Sequence, residues 1–251
     1  MTEYLWMSPW GESWNLTTGD RGVRIEQGGY EDLPRSRVQR QGTEVAGRAG
    51  HLPTELVIPP AGGSFTVNCF ASGAMSAGEV ESRFKSAFSH HDAGFLVVGG
   101  WPAGDLRLRA ELVEFSAPTR QPEHGAFTRL TVSIHAPDGL YLQGHSGVGV
   151  VDVHNPGDDV IFPRVRWREG GELVVPSGAV IDLPEIEGER TLVLDPVESC
   201  VVVDDDGQVD DALWGSFAVF PEGVPVGEGR TYRLPDGAVL VWDVGYTNPW
   251  K

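Results

Sequence analysis

The sequence predicts a mainly β protein in two domains: an N-terminal antiparallel sheet or barrel-like domain with one α-helix, then a β-sandwich. Three observations carry that expectation. Of 251 residues, 33 are glycine and 18 proline, and long Ala/Leu/Glu/Lys runs are scarce, unlike a helical bundle or a doubly wound α/β fold. Apolar and polar side chains alternate with a period of two through much of the first half, as in half-buried antiparallel strands. The second half is a series of short apolar runs separated by Gly, Pro and Asp clusters at about ten-residue spacing, the rhythm of a sandwich.

The elements follow in order. Residues 1–20 are aromatic and turn-rich, and Trp6, Trp10 and Trp14 recur every four positions. Pro9 and Gly11 interrupt any helix, so we expect an extended arm that packs its tryptophans on a neighbour, ahead of the alternative of a local mini-core. Residues 28–53 are glycine-rich and poor in apolar side chains, which predicts a long loop; it carries Arg35, Arg37, Arg40 and Arg48, with Arg24 just before it. Phe65, Val67 and Cys69 alternate with polar neighbours, as do Leu106, Leu108, Ala110 and Leu112, and Leu130, Val132 and Ile134. Between them, Ser76 and Glu79 form a capping box for a helix whose Val80, Phe84 and Phe88 share one face, with Glu81 and Lys85 paired on the outer one. The polar segment 136–147 is the expected linker between a domain at 1–135 and a sandwich at 148–251. The sandwich strands are expected at 148–153, 160–167, 173–175, 191–194, 200–203, 217–220 and 238–244.

Charge and motifs narrow the chemistry. With 36 acidic and 19 basic side chains the formal charge is −17, which disfavours sequence-independent grip on nucleic acid or on an anionic membrane. No apolar run approaches the length of a membrane span, and the N-terminus lacks the pattern of a secretory signal, so synthesis in a cytoplasm-like environment is expected. Cys69 and Cys200 each lie in an apolar strand-like run and are expected as buried free thiols. Gly147-Val148-Gly149 leads into no helix, so it is no phosphate-binding loop, and Ser146 misses the nucleophile-elbow spacing. His90-His91-Asp92 is better explained as loop polarity than as a metal site. Asp204-Asp205-Asp206-Gly207, with Asp210 and Asp211, departs from calcium-loop spacing and fits a hairpin turn. No catalytic, cofactor-binding or metal-ligating residue is therefore assigned, and no enzyme is expected.

Several segments carry a family resemblance: Val151-Asp152-Val153-His154-Asn155-Pro156-Gly157 through Pro163, Leu192-Val193-Leu194-Asp195 with the hairpin at 201–207, Phe220-Pro221-Glu222-Gly223, and the ending Val241-Trp242 through Asn248-Pro249-Trp250. Together they resemble the distal tail protein (Dit) family of bacteriophages with long, non-contractile tails. The turn after Phe220 departs from the family's tighter Pro-Gly. The resemblance implies a structural virion component of the tail tip. Its first domain forms a hexameric ring, and its second is a galectin-like sandwich on the ring's outside. The implied partners are the tail tube protein, the tip hub and the tape measure protein, with DNA passing through the channel without specific binding. The competing reading is a carbohydrate-binding β-sandwich module, or a sandwich glycoside hydrolase, for which Trp167, Trp214, Trp242 and Trp250 are candidates; Trp167 and Trp242 alternate with apolar positions as core residues do.

Overall fold

The computed structural model describes residues 2–44, 51–100, 104–116, 127–217 and 222–250, with the side chains of 40, 41, 43, 44 and 51–55 left aside. The chain divides into two units, one made of Met1–Leu142 with Thr247–Lys251 and the other of Gln143–Tyr246.

The first unit contains β1 (Glu3–Met7), β2 (Ser13–Asn15), β3 (Val23–Ile25), β4 (Gln39–Glu44), β5 (His51–Val57), β6 (Ala61–Phe70), α1 (Ala77–Lys85), β7 (Gly94–Gly99), β8 (Leu106–Phe115), β9 (Phe127–Ala136) and the start of β10 (Tyr141–Val148). Hydrogen-bonded neighbours run β2-β1-β7-β8-β9-β6-β3, all antiparallel. Beyond β2, the Ile25 N–H donates to the Leu16 carbonyl at 2.7 Å, so the two ends of this path meet and the unit is barrel-like. The inward residues of β6, β8 and β9 are the alternating apolar positions of the sequence, and Phe65, Val67, Leu108, Leu130 and Val132 are buried.

The tryptophan segment is not an arm reaching to another copy. Trp6 and Trp14 face each other directly across the β1–β2 hairpin, and each is only 1% exposed. The spacing comes from a turn at Ser8–Gly11, where Gly11 takes φ 84°, so Trp10 sits at the tip and is 56% exposed. Trp6 stacks on Phe88 at 4.3 Å and donates its indole N–H to the Ala87 carbonyl at 2.9 Å. It also lies so close to Gly94 that an added Cβ there would come within 2.6 Å of both its ring and the Met7 carbonyl.

Helix α1 begins with both halves of the expected capping box, and Val80 and Phe84 are buried against β3, β6 and β9. Two details differ. The helix ends at Lys85, so Phe88 reaches the core from the turn that follows. The Glu81–Lys85 pair exists at 2.5 Å, but Glu81 is only 7% exposed, because Lys85 bends over the Phe115 ring and carries the pair inward. The expected loop 28–53 holds the strand β4 and the first three residues of β5, and among the described residues these two strands pair only with each other. Their residues offered no apolar alternation by which to recognise them.

The expected linker is largely β10. Tyr141 is buried with its hydroxyl donating to the Pro34 carbonyl at 2.9 Å, and Tyr141 and Leu142 pair with Leu108 and Arg107 of β8. Only this short start alternates; Gly144, Ser146 and Gly147 hide the rest of the strand from a pattern reading. The chain also returns: Trp250 packs against Tyr4 and Tyr30 at 6.3 and 6.0 Å, so the last residues belong to the first unit.

The second unit is a two-sheet sandwich. It contains β11 (Val150–His154), β12 (Arg164–Trp167), β13 (Gly171–Val174), β14 (Val180–Leu183), β15 (Arg190–Val193), β16 (Val202–Val203), the short helix α2 (Asp211–Trp214), β17 (Gly229–Arg233) and β18 (Val239–Tyr246). One sheet runs β16-β15-β12-β18-β10 and the other β11-β17-β13-β14. Val153, Leu173 and Tyr232 from one sheet and Val165, Trp167, Leu192 and Leu240 from the other build the core. β14 and β17 were not expected, since each turns only one or two apolar side chains inward. Residues 218–221, including Phe220 and Pro221, lie outside the described residues.

Gly94→Ala places a methyl group against the Met7 carbonyl and the Trp6 ring, and is expected to lower stability by about 1–3 kcal/mol. Trp6→Ala, which empties the same site, is expected to cost about 3–5 kcal/mol. Chemical denaturation followed by far-UV circular dichroism measures both.

Candidate functional site

The chemically suggestive clusters resolve into structural turns. His90 makes a 2.9 Å contact from Nδ1 to the Leu112 carbonyl, while Ser89 Oγ lies between the His91 and Asp92 backbone and the Asp92 carboxylate. Asp204 accepts from the Asp206 and Gln208 N–H groups in a turn closed by Gly207 at φ 75°. Asp210 caps α2 and holds Arg190 at 2.9 Å, and that guanidinium draws its carboxyl below the usual range. Among the described residues no three His, Cys, Asp or Glu side chains converge as metal ligands. No helix among them is long and apolar enough to cross a membrane.

Both thiols are free and buried. Burial pushes Cys69 up to about 12, and the carboxylate of Glu81 adds to the shift. Cys200 is also raised by burial. It lies in a turn and not in a strand, with Ser199 and Cys200 both at positive φ, 57° and 52°.

Two surfaces stand out. On the first unit, the outer face of β1 and β7 is apolar: Leu5 opposes Val97 and Met7 opposes Phe95, and Phe95 is exposed. Arg107 and Arg109 of β8 border the same rows. Arg109 grips Asp138 of its own chain with two hydrogen bonds of 2.8 and 2.9 Å. Arg35 donates to the Glu31 carbonyl at 2.9 Å and Arg37 is exposed; Arg48 and the Arg40 side chain lie outside the described residues.

On the second unit, the outer face of β12 presents Arg164 and Arg166 to a groove of about 510 Å³, with His145, Ser146 and Thr191 around them. Its signal was present in the sequence as Arg164-Val165-Arg166-Trp167-Arg168, three guanidiniums alternating with core residues. Of the aromatic candidates, Trp167 is a buried core residue and Trp242 packs partly against the core, with its ring stacked on His145 at 5.6 Å. Trp214 donates to the Ser199 carbonyl at 3.1 Å on α2, and Trp250 belongs to the first unit.

Charge is divided unequally. Gln143–Tyr246 contains 6 arginines against 20 carboxylates, a net of −14, while the remaining 13 basic and 16 acidic side chains leave the first unit at −3.

The fold is similar to that of the Dit protein (gp 19.1) of phage SPP1, described as a paradigm of the hub adsorption apparatus in phages infecting Gram-positive bacteria: TM-score 0.60, 11% identity, over 97% of this chain and 99% of that one. It is also similar to a chain of the phage P2 baseplate in its activated conformation, in structures with Ca and with Sr. There the TM-scores are 0.58 and 0.56, at 9% identity, over 97% of this chain and 98% of the other. No family model matches the sequence, and no curated protein does.

Neither cysteine is expected to react with a disulfide reagent in the native chain at pH 8, and both should react at least about tenfold faster in denaturant. A colorimetric thiol titration with and without denaturant checks this.

Proposed function

We propose that the chain is a structural component of a bacteriophage tail tip, a distal tail protein whose first unit assembles into a hexameric ring joining the tail tube to the hub. The observation that carries this reading is the likeness to SPP1 Dit across both units, 97% of this chain against 99% of that one. The tape measure protein is a further partner, and the site of action is the virion, after synthesis in the host cytoplasm. The role is architectural and not catalytic.

The surfaces of the first unit suit this task. A ring needs two different, mutually complementary patches on each copy. The outer face carrying Leu5, Met7 and Phe95 is one. The β4–β5 hairpin is the other: an isolated two-stranded hairpin is marginal in water, and among the described residues this one pairs with no further strand. The neighbouring copy supplies what it rests on.

The division of charge bears on the channel. The excess of carboxylates is concentrated in the sandwich, at −14, while the first unit, to which the ring is assigned, is close to neutral. A first unit this close to neutral neither repels DNA strongly nor, by its net charge, holds it through counterion release.

Light scattering and negative-stain microscopy of the purified chain are expected to show hexameric rings. Phe95→Glu, which puts a charge on the apolar outer face, is expected to shift the population to monomers at least about tenfold while leaving circular dichroism unchanged. A chain that stays monomeric at high micromolar concentration without any variant would refute the ring.

A further inference from the structure

Among the described residues the β4–β5 hairpin pairs with no further strand, so its position is fixed at its root, residues 34–36 on one leg and Pro59 on the other. Several contacts converge there. Ser36 Oγ donates to the Pro59 carbonyl at 2.7 Å and closes the two legs on each other. The Ser36 N–H donates to the Thr247 carbonyl at 3.2 Å. The buried Tyr141 hydroxyl donates to the Pro34 carbonyl at 2.9 Å. Gly139, at φ 66°, lies so close to the Pro59 carbonyl and to Ser36 Oγ that a side chain has no room.

Two of these contacts come from particular places in the chain. Tyr141 opens β10, the strand by which the chain enters the second unit, and Thr247 follows β18, the strand by which it leaves. β10 and β18 are themselves hydrogen-bonded neighbours. Both crossings between the units are thus tied, through residues of the first unit, to the root of one hairpin.

We propose that these crossings couple the two units: the local stability of the β4–β5 hairpin follows that of the sandwich, through Tyr141 acting on Pro34 and Thr247 acting on Ser36. A two-stranded hairpin lies near balance between ordered and open states, so a few hydrogen bonds at its root decide its population. β6 and β9, each paired along its length inside a larger sheet, do not open for the same loss. Tyr141 and Ser36 are accordingly positioning residues. In the proposed ring the hairpin meets the neighbouring copy, so a change in the sandwich would reach that contact by this route. That consequence rests on the ring, whereas the coupling is a property of the single chain.

Hydrogen exchange read by mass spectrometry on the full-length chain tests it, in the Phe95→Glu background so that a neighbouring copy cannot cover the hairpin. Leu173→Ala, which opens a cavity in the sandwich core, is expected to speed exchange at least about tenfold both in the sandwich and in β4 and β5, and to leave β6 and β9 unchanged. Tyr141→Phe combined with Ser36→Ala is expected to speed β4 and β5 by a similar factor, to leave the sandwich unchanged, and to abolish the hairpin's response to Leu173→Ala. Thermal melts establish that each variant is folded, and the milder Ile181→Val replaces Leu173→Ala should that one not be. The proposal is overturned if β4 and β5 exchange as unprotected chain in the parent, ignore the sandwich variant, change only in step with β6 and β9, or keep their protection without the Tyr141 and Ser36 hydroxyls. Light scattering on the chain with Phe95 intact reports assembly separately, so a failed ring and a failed coupling give different results.

Discussion

Trp6 ties the N-terminal hairpin to the distant stretch that runs from the end of the helix into β7. Its ring lies on Gly94 at the start of β7, stacks on Phe88 after the helix, and sends its one N–H to Ala87. An indole buried this deeply needs both a flat apolar bed and an acceptor. The bed exists because residue 94 has no side chain, and the acceptor because the helix ends early enough to leave the Ala87 carbonyl free. Phe65, Phe84 and Phe115 then pack around Phe88, so sheet, helix and N-terminal hairpin share one aromatic cluster. Once that cluster is in place, the register of β1 on β7 is set. The apolar face made by Leu5, Met7 and Phe95 is necessarily turned outward, since side chains on a strand alternate. The surface proposed for assembly is thus the reverse side of the core's own packing.

The second unit solves a different problem, that of holding a long turn without a helix. Asn155 is fully buried, donates to the Asp159 and Val224 carbonyls and accepts from the Gly157 N–H. Gly157 has no room for a side chain beneath the Gly245 carbonyl, where a Cβ would approach to 2.5 Å. The Asn-Pro-Gly segment noted in the sequence is therefore a buried hydrogen-bonded knot joining three stretches of chain, which explains why those residue types are needed there.

What was legible in the sequence was what burial writes with a strict local period. Phe65 to Cys69, Leu106 to Leu112 and Leu130 to Ile134 alternate because one side of each strand is inside, and Ser76 with Glu79 marks a helix start through bonds three residues apart. The misreadings arose where partners are set by a turn and not by a period. Trp6 and Trp14 are opposite each other across a hairpin, yet in a one-dimensional pattern they looked like a stripe awaiting another molecule. β17 turns Tyr232 alone into the core from its five residues, too little alternation to register. The groove was visible as an arginine repeat, but the same five residues also spell a core strand, and the inward half of that message was the one recognised. The net charge was legible as a total and silent about its division between units.

The return of the last residues to the first unit has a consequence for how the chain is made. A ribosome delivers residues in order, and domains generally fold as they become complete. All of Gln143–Tyr246 precedes the segment that packs Trp250 against Tyr4 and Tyr30, so the sandwich has its whole sequence before the first unit does. The burial that pushes the Tyr4 hydroxyl up to about 12 belongs to a corner shared by residues from near both ends of the chain. A polypeptide cut short anywhere before Trp250 would present that corner unfinished. Folding of the sandwich can therefore run ahead of the first unit, whose corner waits on the segment that carries Trp250.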